Sequence, residues 1–184
     1  SASAAAPHTG SCGARAPVRR ASIALISAVS AGFVPGTAQA LPFAPGSFDL
    51  VVAVTVLCFV ADGAPVFAEA ARVLRPGGAF VTGELGRWSN WAAMRRIRAW
   101  LGSALWRQGH FRTPAALRAL AEGAGLEPGP VRGAVHFPRL AAAARLLAPH
   151  DAALGRRLGG FGAAFLALRA TCPAEGHRMA LAKQ

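Results

Sequence analysis

Tyrosine is absent from the 184 residues, lysine occurs once, as Lys183, and no acidic residue precedes Asp49. No uncharged apolar run reaches the ~18 residues that a membrane-spanning helix needs. The longest stretches, Ala21–Ala31 and Leu50–Ala61, fall short. With no tyrosine and only four tryptophans, aromatics do not interleave with basic residues in the manner of a single-strand binder. The three cysteines, Cys12, Cys58 and Cys172, are odd in number and have the spacing of neither a zinc site nor a disulfide framework. No metal is expected. Cys58 sits in an apolar run and reads as a small core residue, which suits a reducing, cytoplasmic setting.

What is present is positive charge and apolar residues. Twenty basic residues against eight acidic give a net charge of +12. Such an excess attracts nucleic acid or anionic membranes when it is clustered. Here the basic residues are arginines scattered along the chain, the bias expected of GC-rich coding, which argues against a nucleic-acid partner. The hydrophobic fraction, 53%, is ample for a core, and the length suits one domain rather than two.

The first thirty-five residues stand apart. Ser1–Pro17 is built of small residues, Gly and Pro, a composition that does not bury a core. Arg19-Arg20, the apolar stretch after them and Ala38-Gln39-Ala40 have the order of a secretory signal. However, that cleavage point falls inside a motif that runs on into the following domain. A helix over Ala21–Ser30 is the preferred reading.

From Ser47 onward, strand and helix patterns alternate. Leu50–Leu57 is short, apolar and β-branched, as in a strand buried on both faces. Ala64–Leu74 has helical apolar spacing, and Arg75-Pro76-Gly77-Gly78 ends it. Ala79–Gly83 reads as the next strand and Ser89–Leu105 as a helix rich in Trp and Arg. Thr113-Pro114 opens a helix that runs to about Gly123 and exits at Gly125. A strand over Val131–Phe137, a helix over Leu140–Leu147, a turn at Gly159-Gly160 and a last strand over Phe161–Arg169 complete the reading. Such alternation predicts an α/β domain with a mainly parallel sheet.

Four stretches carry a resemblance. They are Gly36-Thr37-Ala38-Gln39-Ala40-Leu41-Pro42-Phe43 with Gly46-Ser47-Phe48-Asp49, then Ala70–Gly78 with its Val73-Leu74-Arg75-Pro76-Gly77-Gly78, then Phe111-Arg112-Thr113-Pro114, and Phe165–Arg169. Together they resemble the class I S-adenosylmethionine-dependent methyltransferases of the type 11 group, from that fold's fourth strand to its last. The resemblance implies an incomplete Rossmann-like doubly wound sheet lacking its first strands. It also implies three segments: an atypical one over 1–35, a methyltransferase-like domain over 36–171 and a tail over 172–184.

In that family a loop acid holds the adenine amino group. Thr37 stands at the acid's position, and its hydroxyl can still accept a bond. The Ala38 N–H would meet a ring nitrogen, and Ala53, Val54 and Thr55 would approach the methionine part of S-adenosylmethionine. The family's glycine-rich turn and its ribose-holding acid have no recognisable counterpart, because Thr9–Gly13 has two glycines and no preceding strand. Out-of-register reading of GC-rich DNA gives Ala-, Arg- and Pro-rich, acid-poor protein of the kind seen before Gly36.

Methyl transfer needs alignment more than a dedicated acid or base. Glu84, Arg87 and His110 are the candidates for orienting a small-molecule acceptor. The amphipathic series Trp91, Met94, Ile97, Arg98, Leu101 and Leu105 suits a lid or a membrane-surface contact. The expected function is methyl transfer, impaired in this chain. The alternative is a non-enzymatic remnant acting as a basic interaction module.

Overall fold

The computed structural model describes residues 35–138 and 141–174. The segment 1–34, with the helix expected at Ala21–Ser30, lies outside the described residues, as does most of the tail.

The first strand, β1 (Phe48–Val54), pairs in parallel with β2 (Leu74–Leu85), and α1 (Ala64–Val73) crosses between them. Two short helices, α2 (Asn90–Trp100) and α3 (Ala104–Arg107), follow, then α4 (Pro114–Gly123). The chain continues through β3 (Glu127–Pro128), β4 (Arg132–Ala134), α5 (Ala141–Arg157) and β5 (Phe165–Thr171). The sheet order is β1-β2-β5-β3, with β4 also on β5.

One face of this sheet makes the core. Val51 of β1 pairs with Phe80 of β2, which pairs with Ala170 of β5, and Ala53, Thr82 and Leu168 form the next row. All six are buried. Alternation along each strand puts them on one side, where α1 contributes Val66, Phe67 and Ala70 and α4 contributes Leu117 and Ala121. The Phe67 and Phe80 rings meet edge to face, 5.0 Å apart, a favoured aromatic geometry.

The structure corrects several expectations. Among the described strand pairs β1–β2 is parallel, as is the isolated Gly86–Arg112 bridge; β5 runs antiparallel to β2, β3 and β4. An apolar strand pattern does not encode direction, and β5 returns between its neighbours. The second face of β1 is not buried: Leu50 and Val54 are 41% and 45% exposed. The helix expected over Ser89–Leu105 divides at Leu101–Ser103, where Gly102 has φ +102°, a conformation that favours glycine. α5 runs ten residues past Leu147, through Pro149. Arg75–Gly78 lies within β2 as an irregular start, with a register shift opposite Phe48–Leu50 and Gly77 at φ +79°.

Asp151 ties α5 to the end of β4. Its carboxylate accepts from the Val135 and His136 backbone N–H groups (2.7 and 2.9 Å) and lies 2.7 Å from His136 Nδ1. Among the described residues no helix is long and apolar enough to cross a membrane.

Candidate functional site

The carboxyl ends of β1 and β2 lie side by side, the place where open α/β sheets leave a ligand crevice. β1 stops at Val54 because Thr55 turns to φ +54°, a strained conformation for a non-glycine residue. The turn is secured by the Thr55 N–H donating to the Gly83 carbonyl (2.7 Å) and the Cys58 thiol donating to the Thr55 carbonyl (2.9 Å).

Glu84 completes that turn. Its carboxylate accepts from the backbone N–H groups of Leu57 (3.0 Å) and Cys58 (3.1 Å), at the start of a single 3-10 turn over Leu57–Phe59. The residue is fully buried, so it is no solvated acid at a strand end. Burial pushes its pKa up to about 7, against hydrogen bonds from Leu57, Cys58, Thr82 and Val56 that lower it. Burial, and then the charge of Glu84, push the Cys58 thiol to about 11.

The segment before α4 is stitched across both strand ends. His110 N–H donates to the Cys58 carbonyl (2.7 Å), Arg112 N–H to the Leu85 carbonyl (3.2 Å), and Arg87 N–H to the Arg112 carbonyl (2.9 Å). The Arg112 guanidinium donates to the Val60 and Ala61 carbonyls (2.9 and 3.1 Å). Thr113 then caps α4, its hydroxyl accepting from Ala116 N–H at 3.1 Å.

Over this platform lies a cavity of about 620 Å³ lined by Arg87, Arg96, Trp100, Trp106, Arg107 and His110, with Phe111 and Arg112. The structure thus brings two of the expected residues, Arg87 and His110, to one cavity. Glu84 does not line it; it holds the turn whose Cys58 carbonyl accepts the His110 N–H. Sequence reasoning missed Arg96, Trp100 and Arg107. The Arg96–Trp100 spacing of four is the signal, on a different stripe of α2 from the one singled out.

The residues that the resemblance gives to the cofactor sit outside this cavity. Thr37 and Ala38 occupy a turn closed by Ala40 N–H donating to the Thr37 carbonyl (3.1 Å). Leu41 anchors this loop on α1: its N–H donates to Glu69 (2.7 Å) and its carbonyl accepts from Arg72 (3.1 Å). The Glu69–Arg72 pair itself closes at 2.6 Å. Thr37 is exposed and Ala38 half-buried. Among the described residues, neither the Thr37 hydroxyl nor the Ala38 N–H is engaged by the hydrogen bonds that fix the loop. Ala53 is buried, Val54 exposed and Thr55 half-buried. An exposed hydroxyl, a spare N–H and an open strand end are the groups that the resemblance assigns to S-adenosylmethionine. No acid occurs within residues 1–48 to take the place of the family's ribose-holding acid.

The fold is that of the class I S-adenosylmethionine-dependent methyltransferases. Residues 9–82 match the methyltransferase domain family, so the match reaches into the segment read as atypical. An uncharacterized protein of Mycobacterium tuberculosis is 35% identical over 113 residues, 61% of this chain and 40% of its own. A demethylmenaquinone methyltransferase of Roseiflexus castenholzii is 35% identical over 96 residues, 48% of this chain and 40% of its own. The chain therefore spans about 40% of the length of these curated relatives. Among solved structures, a possible histamine N-methyltransferase of Thermotoga maritima superposes with a TM-score of 0.60 at 24% identity, covering 77% of this chain and 64% of that one.

Proposed function

We propose that this chain transfers a methyl group from S-adenosylmethionine to a small-molecule acceptor, and that it does so weakly. The observation that carries the reading is the joining of Arg87, just past the carboxyl end of β2, and His110 in one cavity. The cofactor, when bound, supplies an electrophilic methyl: the acceptor's lone pair takes it, the C–S electrons remain on sulfur, and the acceptor sheds a proton. Arg87 would orient the acceptor, and the His110 imidazole would take the proton. Glu84 acts as a positioning residue, since both its oxygens accept backbone N–H groups. Thr37, Ala38, Ala53, Val54 and Thr55 would hold the cofactor.

Weakness follows from the missing ribose acid. A hydrogen bond to a charged group contributes about 1.5–3 kcal/mol, so its loss lowers affinity by roughly tenfold to a hundredfold. The domain in this reading is 36–171, preceded by an atypical segment and followed by a short tail, and its setting is cytoplasmic. An assay of S-adenosylhomocysteine release across an acceptor panel tests the reading. Acceptor-dependent release is expected. Its absence from a folded chain at saturating cofactor would favour a non-enzymatic, basic interaction module.

A further inference from the structure

The cavity bordered by α2, α3 and the entry to α4 has a charge that methyl transfer as such does not require. Four guanidinium groups, Arg87, Arg96, Arg107 and Arg112, line it with His110, and no acidic residue does. Among the described residues none of the four makes an ion pair within 4.0 Å; the ion pairs there belong to Arg72, Arg75, Arg118 and His136. Arg96 donates to the Arg87 carbonyl (2.6 Å) and Arg112 to the Val60 and Ala61 carbonyls. These bonds fix the cationic groups without neutralising them. The Nε of Arg112 is buried with no partner. Like charges gathered in one concavity repel, and the focused positive potential draws an anion.

Aromatic side chains line the cavity too. The Trp106 and Phe111 rings stack, 6.5 Å apart and 19° from parallel. Trp100, also on the lining, is 86% exposed. Guanidinium groups bind carboxylate and phosphate through paired N–H donors and stack on aromatic faces. The cleft is open to solvent, and its volume of about 620 Å³ is within the ~300–1,000 Å³ of small-molecule sites.

From these features we infer that the cavity selects a small acceptor carrying a carboxylate or phosphate. Calling that ligand the acceptor rests on the methyl-transfer reading; its chemistry rests on the cavity. A small molecule is favoured over an anionic bilayer because the arginines converge on a concavity.

Calorimetric titration of the full chain tests this with three probes of one shape: indole-3-acetate, the neutral indole-3-acetamide and the cationic tryptamine. Indole-3-acetate should bind at least about tenfold more tightly than the amide, with tryptamine undetected. Arg107→Glu, at an exposed end of α3, should remove that preference. Arg118→Glu, on α4 away from the cavity, should keep it. Equal binding of acetate and amide overturns the inference. So does capture by vesicles containing phosphatidylglycerol without any preference among the soluble probes. A parallel titration with S-adenosylhomocysteine separates the two claims. Acetate preference without cofactor binding leaves the cavity's selectivity standing and removes methyl transfer. Cofactor binding without acetate preference does the reverse.

Discussion

The carboxylate of Glu84 accepts the backbone N–H of Cys58 at 3.1 Å, and through this bond the end of β2 fixes the turn that ends β1. The Cys58 carbonyl in turn accepts the His110 N–H at 2.7 Å. A buried group outside the cavity therefore sets the position of a residue inside it.

Stability should fall as pH rises through the range that Glu84 governs. Its folded pKa is about 7 against an ordinary value of 4.5. Between these values the folded chain binds more protons than the unfolded one, so the contribution is complete below 4.5 and lost by 7. The difference is about 3 kcal/mol. Urea denaturation at pH 5 and pH 8 measures it, and Glu84→Gln should flatten this part of the profile. Identical slopes for both proteins would refute the assignment. Glu69, kept low by Arg72, acts oppositely at more acid pH.

Gly86 lies between Glu84 and the cavity. A Cβ there would stand 2.2 Å from the Ala163 carbonyl oxygen, a backbone atom with no freedom to yield. Gly86→Ala should destabilise the chain by about 1–3 kcal/mol and displace Arg87. A melting temperature within a degree of the parent would contradict this packing.

Cys58 should resist alkylation in the native state. It is buried, with its thiol raised to about 11, and thiolate is the reactive form. Peptide mapping after iodoacetamide at pH 8 should find Cys58 unmodified until denaturant is added. Rapid native labelling would mean that the turn opens.

Glu69→Ala should free the loop that bears Thr37 and Ala38. It removes the acceptor for Leu41 N–H and the partner of Arg72. A loss of about 1–2 kcal/mol is expected, with faster amide exchange over residues 37–43. Unchanged exchange would show that core packing of Ala38, Leu41 and Phe43 holds the loop unaided.

The helix beginning at Thr113-Pro114 was legible because its start is local: the Thr113 hydroxyl and the Pro114 ring act within one turn. α1 was legible from its helical apolar spacing, and β1 from its continuous apolar, β-branched run. Strand direction was not, because β5 gains its place from pairing with β2, and no local pattern encodes that. Of the candidate site, Arg87 and His110 were legible from their place after a strand and before a capped helix. Glu84 lay in the right position, but its burial depends on the 3-10 turn folding over it from 26 and 27 residues away. Arg96, Trp100 and Arg107 were hidden by the break at Gly102, which turns α3 back to share one cavity with α2.

Calorimetric titration of the folded chain with S-adenosylhomocysteine tests the central claim most directly. The account predicts saturable one-to-one binding at about 0.1 mM or tighter, weakened by Thr37→Val. Absence of binding by a chain shown to be folded would contradict it.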